Sequence, residues 1–103
     1  MFNSAKSLAN SVDAVKLLLD AAREGVRLLD NNIDYVLLAA FQNYITTTLS
    51  IVSQKVGGSY MDRYQIFVTT ISHLKPYDQL KETIKFLIQL AEELQKGGNR
   101  RYF

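Results

Sequence analysis

The sequence predicts a small all-α protein, a four-helix antiparallel bundle with up-down-up-down topology, on three observations. Apolar residues recur at alternating spacings of four and three in four successive segments, which places each set on one side of a helix. Short breaks containing Asn, Gly or Pro separate these segments, and short connections favour antiparallel neighbours. A length of 103 residues, with 48% hydrophobic and 21% charged residues, is typical of one globular domain.

The first segment predicts a helix capped by Asn3 or Ser4, whose side-chain oxygens can accept hydrogen bonds from the free amides of a first turn. Asp30–Asn32 ends this helix, since Asn tolerates the left-handed conformation found at helix ends. We expect one apolar row of this helix to face the core: Leu8, Val12, Val15, Leu19, Ala22, Val26 and Leu29.

The middle of the chain predicts two further helices, separated by the turn Gly57–Ser59. The later one ends before Pro76, because the residue preceding a proline is pushed out of helical geometry. The expected core positions of the second helix are Ile33, Leu37, Phe41, Ile45, Leu49, Val52 and Val56. Those of the third helix are Tyr60, Tyr64, Phe67, Ile71 and Leu74.

The fourth helix is expected to start near Pro76, which is favoured just inside a helix, and to end at Gly97-Gly98. Its expected core residues are Leu80, Ile84, Leu87, Ala91 and Leu94. The sequence therefore predicts one helical bundle domain over residues 1–97 and a flexible C-terminal tail over residues 98–103.

An alternative α+β fold would place a central β-hairpin around Gly57-Gly58. Residues 45–48 and 68–71 are rich in β-branched side chains, as hairpin strands would be. However, Leu49, Ile51 and Val52 cannot share one face of a strand. The helical spacing fits both segments better.

The sequence shows no motif for catalysis, a cofactor or a metal. Cysteine is absent, so disulfides and thiolate sites are excluded. His73 is the only histidine, and it lacks the second ligand of zinc or di-iron helices and the partners that a general base needs. The carboxylates alternate with Lys and Arg at helical spacing, which is typical of a solvated face. We therefore predict no catalytic, cofactor-binding or metal residues and no small-molecule substrate.

Charge and hydropathy predict a cytoplasmic protein. The net charge of +2 gives little attraction to nucleic acid or anionic lipid, and Lys16, Arg23 and Arg27 are interleaved with acids. Residues 1–6 lack the pattern of a signal peptide. Residues 35–54 are uncharged over the length of a membrane span, but they contain too many polar groups for lipid, so we expect no span.

The uncharged polar side of the second helix is the main candidate for an interface. An exposed helical face normally carries Lys and Glu, whereas interface cores are depleted of charge. The candidate residues are Gln42, Asn43, Thr46, Thr47, Ser50, Ser53 and Gln54. The alternative is that this helix is the most enclosed of the bundle, with its Thr hydroxyls bonded to backbone carbonyls.

The C-terminal tail is a second candidate contact. Arg100, Arg101, Tyr102 and Phe103 combine cations with aromatic rings, which can engage a protein groove, an anionic head group or single-stranded nucleic acid. A frayed terminus is the simpler explanation of these residues. In helix number, length and this ending, the chain resembles the bacteriocin-immunity proteins. That resemblance implies a cytosolic bundle that acts near a membrane receptor.

These observations favour a non-catalytic protein that acts through protein–protein interaction, as a regulatory or structural protein. We expect it to self-associate through its second helix, so that it binds a second copy of itself or another protein. The alternatives are the immunity-like protein and a weak nucleic-acid-binding accessory protein.

Overall fold

The computed structural model describes the backbone of residues 2–100 and the side chains of residues 9–96. This part of the chain forms four helices and no strand: α1 (Phe2–Leu28), α2 (Tyr35–Val56), α3 (Tyr60–Ile71) and α4 (Pro76–Arg100). The predicted all-α four-helix bundle is confirmed. The hairpin alternative is wrong, because residues 45–56 and 60–71 are helical on both sides of the glycine turn.

The helices pack around α1. Among the described residues, the contact between α1 and α4 is the most extensive, and that between α1 and α2 is the next. The short α3 packs against α2 and reaches α4 through long side chains. The rings of Phe67 and Phe86 are stacked with centroids 4.4 Å apart, and Arg63 forms an ion pair with Glu93 at 2.9 Å. These contacts of Phe67 and Arg63 hold α3 against α4.

The ends of the middle helices follow from local chemistry. Asp34 caps α2, since its carboxylate accepts a hydrogen bond of 2.8 Å from the backbone N–H of Leu37. Gly57 ends α2 with a φ of 74°, a backbone conformation that residues other than glycine rarely adopt. Pro76 starts α4 as predicted. The side-chain amide of Gln79 donates to the carbonyl of Leu74 at 2.8 Å and stabilises the turn after α3.

Three predicted boundaries are wrong. The first helix already includes Phe2, so Asn3 and Ser4 lie inside α1 and do not cap it. The third helix ends at Ile71, before Leu74. The last helix continues through Gly97-Gly98 to Arg100, since glycine weakens a helix by only about 1 kcal/mol and does not by itself end one.

The core face of α1 also differs from the predicted row. Val12 is 60% exposed and Val26 is 53% exposed, so neither is a core residue. Among the described side chains of α1, which begin at residue 9 and so exclude the predicted Leu8, the buried residues are Ala14, Val15, Leu18, Ala21, Ala22, Gly25 and Leu28. Small residues at these positions let α4 approach closely: a Cβ on Gly25 would lie 2.7 Å from Cγ1 of Ile84. Close packing of α1 on α4 therefore selects the small-residue side of α1.

The predicted core positions of the other helices agree with the structure. Phe41, Ile45 and Leu49 of α2 are buried, as are Tyr64 of α3 and Leu87 of α4. Val52, Ile71 and three further residues of α4 (Leu80, Ile84 and Ala91) are buried as well. The other predicted positions are half-buried at the edge of this core. The 4-3 spacing thus identifies the core face of α2, α3 and α4.

Candidate interaction surface

The predicted interface residues of α2 divide into two groups. Asn43, Thr47, Ser50 and Gln54 are exposed, and their 4-3-4 spacing places them in one line along the helix. Gln42, Thr46 and Ser53 are half-buried at the border between this line and the core. The structure therefore brings four of the seven predicted residues together on an open surface.

This open surface is longer and more apolar than the sequence analysis predicted. The line continues towards the start of α2 through Val36, which is 79% exposed, and through the exposed Ala39 and Ala40. We call this surface the α2 face and define it as Val36, Ala39, Ala40, Asn43, Thr47, Ser50, Ile51 and Gln54. The sequence signal for the apolar members of this face was the pair Ala39-Ala40, because these two apolar residues lie outside the 4-3 pattern of large core residues.

Threonine hydroxyls on the outer surfaces of α2 and α3 are satisfied within their own helices. Thr46 and Thr47 both donate to the carbonyl of Asn43, at 2.9 and 3.1 Å. Thr69 and Thr70 of α3 donate to carbonyls four residues earlier, at 3.0 and 2.9 Å. The alternative in which α2 is the most enclosed helix predicted hydrogen bonds from Thr hydroxyls to backbone carbonyls, and these are present. It also predicted that this side of α2 is buried, whereas the α2 face is exposed. Covering these hydroxyls would not leave their protons unpaired.

Charged side chains lie mainly on α1 and α4. Ion pairs join Arg23 to Asp20 at 3.6 Å and Lys85 to Glu82 at 3.1 Å. Arg27 is hydrogen-bonded to Glu24, and this bond holds the pKa of the Glu24 carboxyl below its ordinary value. The exposed residues of α2 between Tyr35 and Gln54 carry no charge. The exposed side chains of α2 from Tyr35 to Gln54 therefore form an uncharged strip on the surface.

The acidic residues of α1 lie near α2. Burial first, and then the negative charges of Asp20 and Glu24, raise the pKa of the Tyr44 phenol on α2 above its ordinary value. Asp13 forms an ion pair with Lys55 of α2 at 3.6 Å. These contacts show that the carboxylates of α1 point towards the side where α2 packs.

Among the described residues, the side chains that most often take part in catalysis or metal binding are not brought together in one site. His73 is exposed in the turn after α3. Among the described residues, no three His, Asp or Glu side chains are grouped to hold a metal ion. Tyr64 is 1% exposed and its hydroxyl has no hydrogen-bond partner in the described part of the chain. Burial raises the pKa of Tyr64 to about 12, so its phenol stays protonated at neutral pH.

By length and composition, α2 could cross a membrane, and it is the one such helix among the described residues. A core helix of a soluble protein passes the same test, and a third of the apolar window is buried in the bundle. The polar residues of the α2 face, from Asn43 to Gln54, remain the argument against a span.

The predicted tail contact lies beyond the described side chains. The last helix, α4, ends at Arg100, of which only the backbone is described. Arg101, Tyr102 and Phe103 lie outside the described residues. Comparison of the chain with protein-family models, with curated proteins and with solved structures found no significant match.

Proposed function

We propose that this protein is a non-catalytic interaction protein that self-associates through the α2 face. The observation that supports this is the exposure of the α2 face: a line of side chains from Val36 to Gln54, without a single charge, lies open on a helix of 22 residues. Water-facing helices of ordinary proteins carry Lys and Glu there, because these residues favour helix and keep the surface soluble.

Burying this surface costs little. Thr47 already satisfies its hydroxyl proton by bonding to the Asn43 carbonyl, so a partner that displaces water there breaks no hydrogen bond of that group. Val36 and Ile51 add apolar area that gains free energy when covered. Ala39, Ala40 and Ser50 are small, and small side chains allow a second helix to approach within the 8–10 Å typical of packed helices.

A second copy meets no electrostatic repulsion at this face. Two identical charged faces would oppose like charges, whereas an uncharged face can pack against itself in a two-fold arrangement. Cations on α1 and α4 such as Arg23, Arg27 and Lys85 are already paired with carboxylates, which argues for this function over nucleic-acid binding.

The test is sedimentation velocity over a concentration series, with a thermal melt of each variant. We expect the wild type to sediment above monomer mass at high concentration, and Ser50→Glu to sediment as a monomer. The desolvated charge would lack a partner, so association should weaken by several kcal/mol. The matched control is Gln89→Glu, which places the same charge on the exposed side of α4 and should leave association unchanged.

The melts separate the outcomes. An exposed Ser50→Glu shifts stability by about 0.5 kcal/mol at most, so the isolated fold should survive. Monomeric wild type at all concentrations, or association that Ser50→Glu leaves intact, refutes self-association through this face. A Ser50→Glu variant that fails to fold would instead place this line inside the bundle.

A further inference from the structure

The third helix, α3, has the least contact with the rest of the described chain. The contact of α3 with α2 is smaller than the contact of α1 with either α2 or α4. Two of the 12 residues of α3, Tyr64 and Ile71, are buried. On its outer side Ile66 is 69% exposed, so no other described helix covers that side. Movement of α3 away from the bundle would therefore leave α1 packed against α2 and α4.

The sequence of α3 makes a weak helix. An isolated helix shorter than about 12–15 residues is marginal in water, and α3 has 12 residues. Ser59 stands at its N-cap without a side-chain hydrogen bond to the first turn. In residues 66–71 five of the six side chains are β-branched, which lowers helix propensity. The helical form of α3 therefore depends on its packing against the bundle.

Phe86 and Glu93, which are seven residues apart on α4, both contact α3. The ring of Phe86 stacks on that of Phe67 with centroids 4.4 Å apart, and its centroid lies 6.0 Å from that of Tyr64. Glu93 forms an ion pair with Arg63 at 2.9 Å, and both side chains are more than 40% exposed. Exposed ion pairs contribute little to stability. The aromatic contacts are therefore the main attachment of α3 to α4.

The hydroxyl of Tyr64 weakens the packing of α3. Tyr64 is 1% exposed, and its hydroxyl has no hydrogen-bond partner among the described residues. A buried hydroxyl without a partner costs free energy, which is recovered when the hydroxyl reaches water. Movement of α3 away from the bundle would bring water to this group. The packed state of α3 is therefore less stable than the burial of the Tyr64 ring alone implies.

Both ends of α3 are set off from the neighbouring helices by turns. Gly57 and Gly58 precede it with φ of 74° and 95°, and a Cβ added at Gly57 would meet no atom within 4 Å. Glycine changes backbone conformation at low cost, so this turn can act as a hinge. At the other end, the side-chain amide of Gln79 donates to the carbonyl of Leu74 at 2.8 Å and fixes the second turn to α4.

We propose that α3 is a lid. It opens as one unit while α1, α2 and α4 stay packed, and it uncovers a slot on α4 that binds a helix with the chemistry of α3. We define the α3 slot as Phe86 and Glu93. Phe86 takes an aromatic side chain and Glu93 takes a cation one helical turn earlier, the positions that Phe67 and Arg63 fill in the closed state. This proposal is independent of self-association through the α2 face.

Hydrogen exchange of the full-length protein at low urea concentrations tests the opening. We expect the amides of residues 64–71 to exchange through one shared opening, about a hundredfold more populated than global unfolding and less dependent on urea. The amides of Leu18 and Leu87 should exchange only by global unfolding, because both residues lie in the core. Tyr64→Phe should make the opening about fivefold rarer, since the closed state then buries no unpaired hydroxyl. Tyr35→Phe is the matched control at a 69% exposed position and should change nothing.

A peptide tests the slot. Tyr64→Ala/Phe67→Ala removes both rings that contact Phe86 and should leave α3 open in a folded protein. A peptide of residues 59–74 should bind this variant about tenfold or more tightly than the wild type, in which the chain's own α3 occupies the slot. The control peptide carries the same two alanines and should not bind. Fluorescence anisotropy measures both affinities.

Three results would overturn the proposal. The amides of residues 64–71 could exchange at the opening free energy and urea dependence of Leu18. Tyr64→Ala/Phe67→Ala could unfold α1 and α4 together with α3, which would show that α3 does not open separately. The peptide could bind the wild type and the variant equally, or bind no better than the control peptide, which would place its contact outside the α3 slot.

Discussion

The tight packing of Gly25 in α1 against Ile84 in α4 makes a specific prediction for Gly25→Ala. At an exposed helical position this change stabilises a protein by about 1 kcal/mol, because alanine has the higher helix propensity. At Gly25 the added Cβ would lie 2.7 Å from Cγ1 of Ile84 and 3.0 Å from Cζ of Phe41. Both distances are shorter than a normal contact, so one of these buried side chains must move.

The two effects have opposite signs, and the steric one is the larger. Overpacking a tight core costs about 1–3 kcal/mol. After the gain in helix propensity, we expect Gly25→Ala to destabilise the fold by roughly 0–2 kcal/mol. Each kcal/mol corresponds to a Tm shift of about 4–8 °C in a domain of this size.

Urea denaturation of a double-mutant cycle separates the two contributions. Ile84→Ala removes Cγ1 and Cδ1 of Ile84, two of the three atoms that the new Cβ would meet, and opens space into which Phe41 can shift. By itself Ile84→Ala costs about 2–5 kcal/mol. In that background Gly25→Ala should become stabilising, which gives a coupling free energy of about 1–3 kcal/mol. Stabilisation by about 1 kcal/mol in both backgrounds would show that α1 and α4 are not in close contact at this point.

Three further expectations concern the core, the buried Tyr64 and metal binding. Leu18→Ala should cost about 2–5 kcal/mol in urea denaturation and Leu19→Ala distinctly less, since Leu18 is fully buried and Leu19 is not; equal losses would contradict the burial. Tyr64→Phe should be neutral or stabilising, because it removes a buried hydroxyl without a partner. Burial raises the pKa of Tyr64 from 10.0 to about 12, so the free energy of unfolding should be unaffected by this group below pH 10.0 and should fall as the pH rises from there through about 12. Tyr64→Phe should remove this fall from a pH series of melts. A chelator should leave the Tm unchanged, and a clear drop would reveal a metal dependence.

The helix content and most of the core could be predicted from spacing alone. In α2, α3 and α4 the large apolar residues are the core residues, so Phe41, Tyr64 and Leu87 are found where the 4-3 pattern predicts them. In α1 the pattern is ambiguous, because apolar residues cover more of the helix than its neighbours can bury. Residue size decides between the two rows. Ala21 and Gly25 are buried, and Gly25 meets Ile84 of α4. This close approach depends on the distance between the helices, which the spacing of apolar residues does not contain.

The candidate surface could be predicted only in part. Absence of charge selected seven residues of α2, of which Asn43, Thr47, Ser50 and Gln54 are exposed. It could not separate them from Thr46 and Ser53, which are half-buried, because all of these side chains are small or uncharged and polar. Val12 and Val26 were wrongly assigned to the core because they have the residue type and spacing of core positions.

The dominant contact between α1 and α4 has a consequence for how the chain acquires its structure. These helices are farthest apart in sequence, so the largest part of the core forms only after a long loop has closed. During synthesis, α1 leaves the ribosome with Leu18 and its neighbours uncovered until α4 follows. The α2–α3 hairpin can form early from local contacts, but it cannot bury that side of α1. We therefore expect refolding to be limited by the docking of α4, and nascent chains that stop before Pro76 to depend on chaperones.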